Sequence, residues 1–312
     1  MSLFGKKPEE RTVLVLDVGQ GSAGSALVRI SQTEAPKLFG EFRAHLPVGE
    51  FREIGVLARH AKQTATQALL HAAEVASRVR QHPAAGAAGV IESVAVFLAP
   101  PWGAPDLARE EPEFSNDMAE ALRDMMRAHL EVPHRLHTRA GAALHGARVI
   151  FPGDALLLII STEAMELLHA KDGAAVSYAF IPVGTHVLLR TLRAHGGLSW
   201  QEARSALRIG HRHFKEPLDA AYDHLARELS AAMRGLRNPP RSVLVLAEEP
   251  YGERLARELA DRSEFSTLFP QGSTIRPMLA RHASPYVAAH AQSLDLNLML
   301  EALYLDSIIQ LS

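Results

Sequence analysis

The chain has 312 residues, 47% of them hydrophobic and 22% charged, enough to bury a large core in two domains or one two-lobed domain. Lys+Arg 33 against Asp+Glu 35 leaves a net charge of −2, so no basic excess argues for bulk nucleic-acid binding. There is no cysteine, which excludes disulfides, thiolate metal sites and a cysteine nucleophile, and suits a reducing cytoplasm.

The opening "MSLFGKKPEER" is short and charged, unlike a signal peptide, and no apolar run approaches the roughly 20 residues of a membrane helix. Thr12 to Leu16 and Ala26 to Ile30 read as paired strands around a turn bearing Gly19, Gly21 and Gly24, and Leu38 to Ala44 reads as a third. Such a turn is either a tight hairpin or a loop that wraps a phosphate. Leu57, Ala61, Ala65, Ala68, Ala72, Val75 and Val79 recur at helical spacing. "QHPAAGAAG" breaks that helix, and "ESVAVFLAPPW" is a strand running into a proline turn. Asp117 and Glu120 predict a capped helix with Met118, Ala121, Leu122, Met125 and Met126 inward.

"ALLLII" predicts a strand buried on both faces, and "VSYAFIPVG" another, ended by Pro182 and Gly184. Ser199 with Glu202 opens a helix by the same capping logic, and Leu218, Ala221, Tyr222, Leu225, Leu229, Ala232 and Met233 line the next. "RNPP" stops it, "SVLVLA" is a further buried strand, a helix follows from Gly252 to Leu259, and the stretch from Pro285 to Ile309 reads as helical. Strand pairs alternating with helices imply an α/β fold, and the pattern occurs once before residue 100 and again after 155, hence two lobes.

Sixteen histidines raise a metal reading, with His211, His213 and His224 as candidates. "GHRHFKEP" equally reads as a solvated basic loop, and His134 with His137 brackets an expected loop. Arg190, Arg193 and Arg204 extend the basic region, either as a phosphate or acidic-partner surface or as a solvated face paired with Glu202 and Glu216. No aromatic residues interleave there as a single-strand binder requires.

"LDVGQGSAGSALV" resembles the first phosphate loop of the actin-like ATPases, a hairpin carrying Asp-x-Gly and small polar residues. "AVSYAFIPVGTHVLLRTLRAHGGLSWQEARSALR" is similar to the FtsA/PilM-type bacterial branch, with Pro182, Val183, Gly184, Ser199, Glu202 and Ala203 at matching positions. "SVLVLAEEPYGERLARELADR" sits where that family has a strand, a glycine turn and a helix. The three blocks span most of the chain in the family's order.

The resemblance implies a two-lobed actin-like, RNase H-like α/β fold with a small α/β subdomain inserted in the first lobe. The implied divisions are 1–98 for the first part of the first lobe, 99–148 for the insertion, 149–284 for the second lobe, and 285–312 for a helix returning to the first lobe. Asp17, Gly19, Gln20, Gly21, Ser22, Glu163, Glu166 and Gly184 are implied as vestigial nucleotide-binding positions. The departures are concentrated there. Gln20 replaces a Ser or Thr that faces phosphate. Ile159 stands where an acid helps to hold Mg²⁺. Ser161, Thr162 and Glu163 replace the glycines of the second phosphate loop, while Glu166 keeps its last acid. Glu248, Glu249 and Pro250 replace glycines of the adenosine turn. Glycine lets backbone amides approach phosphate, so these losses argue against catalysis.

The expected function is therefore a non-catalytic actin-like cytoplasmic scaffold engaging membrane-associated assembly machinery, of a pilus or of division. A slow Mg-ATPase is the alternative, and a metal-dependent hydrolase a remoter one. No cofactor is expected, with at best weak binding of ATP and Mg²⁺. The expected partner is the cytoplasmic segment of a membrane-anchored protein, with self-association open, and without nucleic acid or membrane insertion. Asp295, Glu301 and Asp306 would keep the C-terminal helix off an anionic bilayer. Trp102, Met118 and Met126 in the insertion are the expected partner-binding residues, with core support as their other reading.

Overall fold

The computed structural model describes residues 10–45, 54–81, 90–107, 111–209, 212–236, 239–248, 251–269, 272–289 and 294–310. The first half runs β1 (Glu10–Val18), β2 (Ser22–Ser31), β3 (Lys37–His45), α1 (Ile54–Gln81), β4 (Ser93–Leu98), β5 (Gly103–Asp106), β6 (Glu111–Phe114), α2 (Asn116–His129), β7 (His134–Thr138) and α3 (Arg139–Ile150). The second runs β8 (Ala155–Ile160), β9 (Met165–Lys171), β10 (Ala174–Ile181), α4 (His186–Gly196), α5 (Trp200–Ile209), α6 (Lys215–Met233), β11 (Ser242–Ala247), α7 (Gly252–Ala260), α8 (Ser263–Leu268) and β12 (Thr274–Pro277). Then come α9 (Ala280–Ala283), β13 (Ala288–Ala289) and α10 (Leu296–Gln310).

The two sheets repeat one plan. The first has the order β13-β3-β2-β1-β4-β7 and the second β10-β9-β8-β11-β12. Without β13, both read third, second, first, fourth, fifth. In each, the first three strands pair antiparallel and the last two add in parallel. This is a two-lobed α/β architecture.

Alternation along the central strands shows why they are apolar throughout. Leu14 and Leu16 of β1 face α1 and α2, while Val13 and Val15 face the space between the lobes. In β8, Leu156 and Leu158 face α4 and α6, while Leu157 and Ile159 face that same space. Both faces are covered, so neither strand can alternate with polar residues. The shared layer is filled by α3 and α10, the latter packing on α3 and on β1 to β3. Gly146 of α3 permits that approach: a Cβ there would stand 2.3 Å from the Leu300 side chain, which is fully buried.

Several expectations change. His134 and His137 lie on β7, not in a loop, and β7 pairs with β4 from Val94 opposite His134 to Leu98 opposite Thr138. The piece added to the first lobe is thus narrower than 99–148. The β5–β6 hairpin forms its own two-stranded sheet, whereas α2, β7 and α3 complete the lobe itself. Helix α2 is capped at Ser115 without a side-chain hydrogen bond, not by the Asp117–Glu120 pair. The Ser199–Glu202 box does form: the Ser199 amide donates to Glu202 at 2.8 Å and the Glu202 amide to Ser199 Oγ at 3.3 Å. The terminal helix begins at Leu296, after α9 and β13, and not at Pro285. Among the described residues, no helix is long and apolar enough to cross a membrane.

Because the α3–α10 contact has no spare room, Gly146→Val is expected to destabilise by about 1–3 kcal/mol through overpacking. Thermal denaturation checks this. An unchanged melting temperature would mean that α10 shifts freely on α3.

Candidate functional site

The β1–β2 hairpin brings Asp17 to the end of β1, opposite Gly24, where its side chain is fully buried. Both carboxylate oxygens are taken. Arg139, the first residue of α3, donates to Oδ1 from Nε at 2.9 Å and from Nη2 at 2.6 Å. Arg43 of β3 donates from Nη2 to Oδ2 at 2.7 Å. A buried carboxylate is tolerable only with such charged partners.

The three glycines now have a common explanation. A Cβ on Gly19 would lie 2.6 Å from Arg139 Nη2, one on Gly24 2.7 Å from Arg43 Nη2, and one on Gly21 2.2 Å from Thr162 Oγ1. None has positive φ. They are glycine because side chains of this chain lie against the hairpin backbone, in the space a phosphate loop would leave open. Gln20 is buried, and its Oε1 has no partner among the described residues.

From Asp17 the network spreads. Arg43 Nε donates to Asp295 Oδ2 at 2.5 Å and Nη2 to Asp295 Oδ1 at 3.1 Å, while the Leu298 amide donates to the same Oδ1 at 3.3 Å. Arg43 therefore ties the start of α10 to the hairpin. Arg43 Nη1 also donates to Ser22 Oγ at 3.0 Å, and Ser22 Oγ donates to Glu248 Oε1 at 2.6 Å. Glu248 follows β11, so this bond crosses from one lobe to the other. Arg139 Nη1 reaches Ser161 Oγ of the second lobe at 3.4 Å.

Burial works against the charge on Arg43, but Asp295 and Asp17 outweigh it and push its pKa up. Burial works against ionised Asp295 and Glu248, but Arg43, together with the Leu298 amide at Asp295 and the Ser22 hydroxyl at Glu248, outweighs it and holds each carboxyl below its usual range. Two further acids have no such support. Glu301 of α10 is wholly buried, with no partner for either oxygen among the described residues, and burial beside Asp17 drives its carboxyl well up. Glu166 of β9 is buried too. Among the described residues it accepts only from Tyr178 Oη, at 3.3 Å, and burial pushes it up to about 7.

The second loop, between β8 and β9, is sealed from its other side. The Thr185 and His186 amides, at the start of α4, donate to the carbonyls of Ser161 at 3.0 Å and Thr162 at 2.8 Å. These are amides a helix start would otherwise offer to an anion. Gly184 is needed here, since a Cβ would meet Ser161 O at 2.4 Å and the Ala164 amide nitrogen at 2.5 Å. Glu163 points away from Asp17 into the second lobe. Arg190 clamps both its oxygens at 2.8 and 2.9 Å, and His186 Nδ1 lies 2.8 Å from Oε1. Burial opposes its charge, but these hydrogen bonds hold its carboxyl below the usual range.

The sequence-derived residues thus divide. Asp17, Gly19, Gly21, Ser22 and Gly184 converge with Gln20 where the two loops meet, Glu166 lies near them, and Glu163 does not face them. Glu249, Pro250 and His211 lie outside the described residues. Arg190 serves Glu163, and Arg193 stacks on Trp200 at 4.2 Å, so neither pairs with Glu202 or Glu216 as expected. Trp102, Met118 and Met126 are at most 3% exposed and fill the core against α1. Burial leaves them no face for a partner, contrary to expectation. His213 meets Phe214 edge-on and His224 lies 3.9 Å from Glu228; among the described residues no group of three His, Asp or Glu is placed to hold a metal. Arg43, Arg139, Asp295 and Glu301 were missed as site residues. For Glu301 a signal exists, a lone acid inside "LNLMLEALYL". Beside the network, a cleft of about 470 Å³ opens between the lobes, lined by Gly21, Thr162, His186, Arg204, Arg208 and Tyr251.

No family model matches the chain, and no curated protein matches it. Solved structures do. The PilM–PilN type IV pilus biogenesis complex aligns at a TM-score of 0.63 and 15% identity, over 96% of this chain and 98% of that one. The ethanolamine utilization protein EutJ from Carboxydothermus hydrogenoformans aligns at 0.58 and 14%, over 96% and 90%. This chain has the actin-like fold. The duplicated strand order, the helix pair between the sheets and the cleft are that fold's elements, and the Asp17 network fills its centre.

Two predictions follow from the charges. Asp17→Ala strands two buried guanidinium groups and is expected to cost about 3–5 kcal/mol, read by denaturant unfolding; a loss under about 1 kcal/mol would mean that water reaches the site freely. Glu166 is raised in the folded state, so the folded protein holds the extra proton. Its contribution is fully present below pH 4.5, and it fades as pH rises to about 7. Glu166→Gln should therefore gain stability relative to the parent between pH 5 and 8, by on the order of 2 kcal/mol, measured as the difference between the two melting curves. A difference independent of pH would show that Glu166 is ionised throughout.

Proposed function

We propose that this chain is a non-catalytic scaffold on the actin-like fold. In this reading it works without a nucleotide cofactor and engages a membrane-anchored component of an assembly machine of the type IV pilus kind. Its place would be the cytoplasmic face of the membrane, held there through that partner. The observation that carries the proposal is the occupation of Asp17 by Arg139 and Arg43. An acid that serves a nucleotide must present a free oxygen toward metal or water, and here both oxygens are committed. The Ser22–Glu248 bond and the Thr162 side chain against Gly21 place the chain's own groups where the two loops meet. The likeness to the PilM–PilN complex over nearly the whole of both chains supports the choice of machinery.

A slow ATPase would have to release Asp17 from two guanidinium groups before chemistry. Calorimetry with Mg-ATP, together with a phosphate-release assay, tests the proposal. Expected is no saturable binding tighter than about 1 mM and no phosphate above the blank. Micromolar affinity, or turnover lost in Asp17→Asn, would overturn it. Crosslinking of the tagged chain in its own cells should recover a membrane protein, and recovery with none would remove the scaffold half.

A further inference from the structure

The two sheets have four edges, and three are protected against strand addition. On the first sheet, the two-residue β13 covers only Lys37 and Leu38 of β3, and the rest of β3 carries Glu41 and Arg43. β7 follows Pro133 and carries His134, Arg135 and His137 in five residues. On the second sheet, β12 is four residues long and holds Arg276 and Pro277. Short strands, charges and proline are the usual means of blunting an edge.

The fourth edge, β10, has none of these. It is eight residues, AAVSYAFI, with no charge and no proline. It pairs with β9 on one side, and among the described residues no strand pairs with the other. A bulge lies between Ala175 and Ser177, after which Ser177 to Ile181 run in regular register. Two large apolar side chains stand out on it, Val176 at 51% exposed and Phe180 at 43%.

We propose that β10 is a self-association edge, pairing antiparallel with β10 of a second copy across a twofold axis. The two five-stranded sheets would then join into one. A second copy fits this edge because the pairing is isologous. Antiparallel self-pairing brings the strand against its own copy, and β10 carries no charge that the seam would have to desolvate. A register centred on Tyr178 sets Phe180 of each copy toward the bulge at Val176 of the other, at both ends of the regular stretch. The net charge of −2 adds little long-range repulsion. A strand of this length spans about 26 Å and buries less than the roughly 800 Å² per partner of a standard interface, so the dimer is weak and reversible.

The test is sedimentation equilibrium of the full chain from about 1 to 500 μM, a range that brackets weak protein dimers. Expected is a rise from monomer toward dimer mass across that range. Phe180→Lys and Val176→Lys each replace the apolar contact at both ends of the pairing by a cation that must be desolvated against an apolar side chain, and should weaken dimerisation at least about tenfold. Both sites are exposed, so melting temperatures should hold, and either variant suffices if the other misfolds. Ile209→Lys removes an exposed apolar side chain on α5, away from the edge, and should leave the association unchanged. A chain that stays monomeric throughout, strand variants that associate like the parent, or an Ile209→Lys variant that alone abolishes association would each overturn the proposal. None of these readouts depends on nucleotide or on a membrane partner.

Discussion

The carboxylate of Asp17 is the point on which the centre of this molecule is built. Buried without partners, it would be among the costliest groups in the core. Its two guanidinium partners come from different elements, Arg43 from the third strand and Arg139 from the start of a helix. Satisfying one acid therefore fixes where that strand, that helix and the β1–β2 hairpin lie relative to one another. Arg43 passes the constraint to Asp295 and so to the start of α10, and Ser22 passes it to Glu248 in the second lobe. Buried ion pairs of this sort contribute more to the choice of one arrangement than to net stability.

The same arrangement sets what surrounds the hairpin backbone. In a phosphate loop, glycine backbone amides are left facing an anion. Here the hairpin glycines face Arg139, Thr162 and Arg43, and the first amides of α4 are spent on carbonyls of the second loop. The chain's own groups lie against the hairpin glycines and the first amides of α4. What stays open is the cleft beside them, whose walls include Arg204 and Arg208.

Two acids whose carboxyls burial raises complete the balance. Asp17, Asp295 and Glu248 face two arginines, and adding charges at Glu301 and Glu166 would leave the region strongly negative in a dry setting. Both are instead raised by burial. This protonation links the centre of the fold to pH without any ligand.

The sequence by itself determined the elements whose cause is local. The apolar runs of β1, β8 and β11 are visible because both faces of each are covered, and the helical spacing in α1 and α6 marks their buried stripes. The Ser199–Glu202 box forms because its partners are three residues apart. The hairpin itself was legible from its two apolar runs and the glycines between them. Other elements were not visible locally. β9 reads MELLHAK, without the alternation of a strand, and is a strand because β8 and β10 flank it. β7 carries histidines and an arginine and is recruited by β4. Met118, Met126 and Trp102 could be core or surface until α1 was seen to cover them. What lies over the glycines was beyond sequence reading, because Arg139 is 122 positions from Asp17 and Asp295 is 252 from Arg43. A pattern of glycines records that something comes close to the backbone, and only the tertiary structure decides whether that is a phosphate or the protein's own arginine.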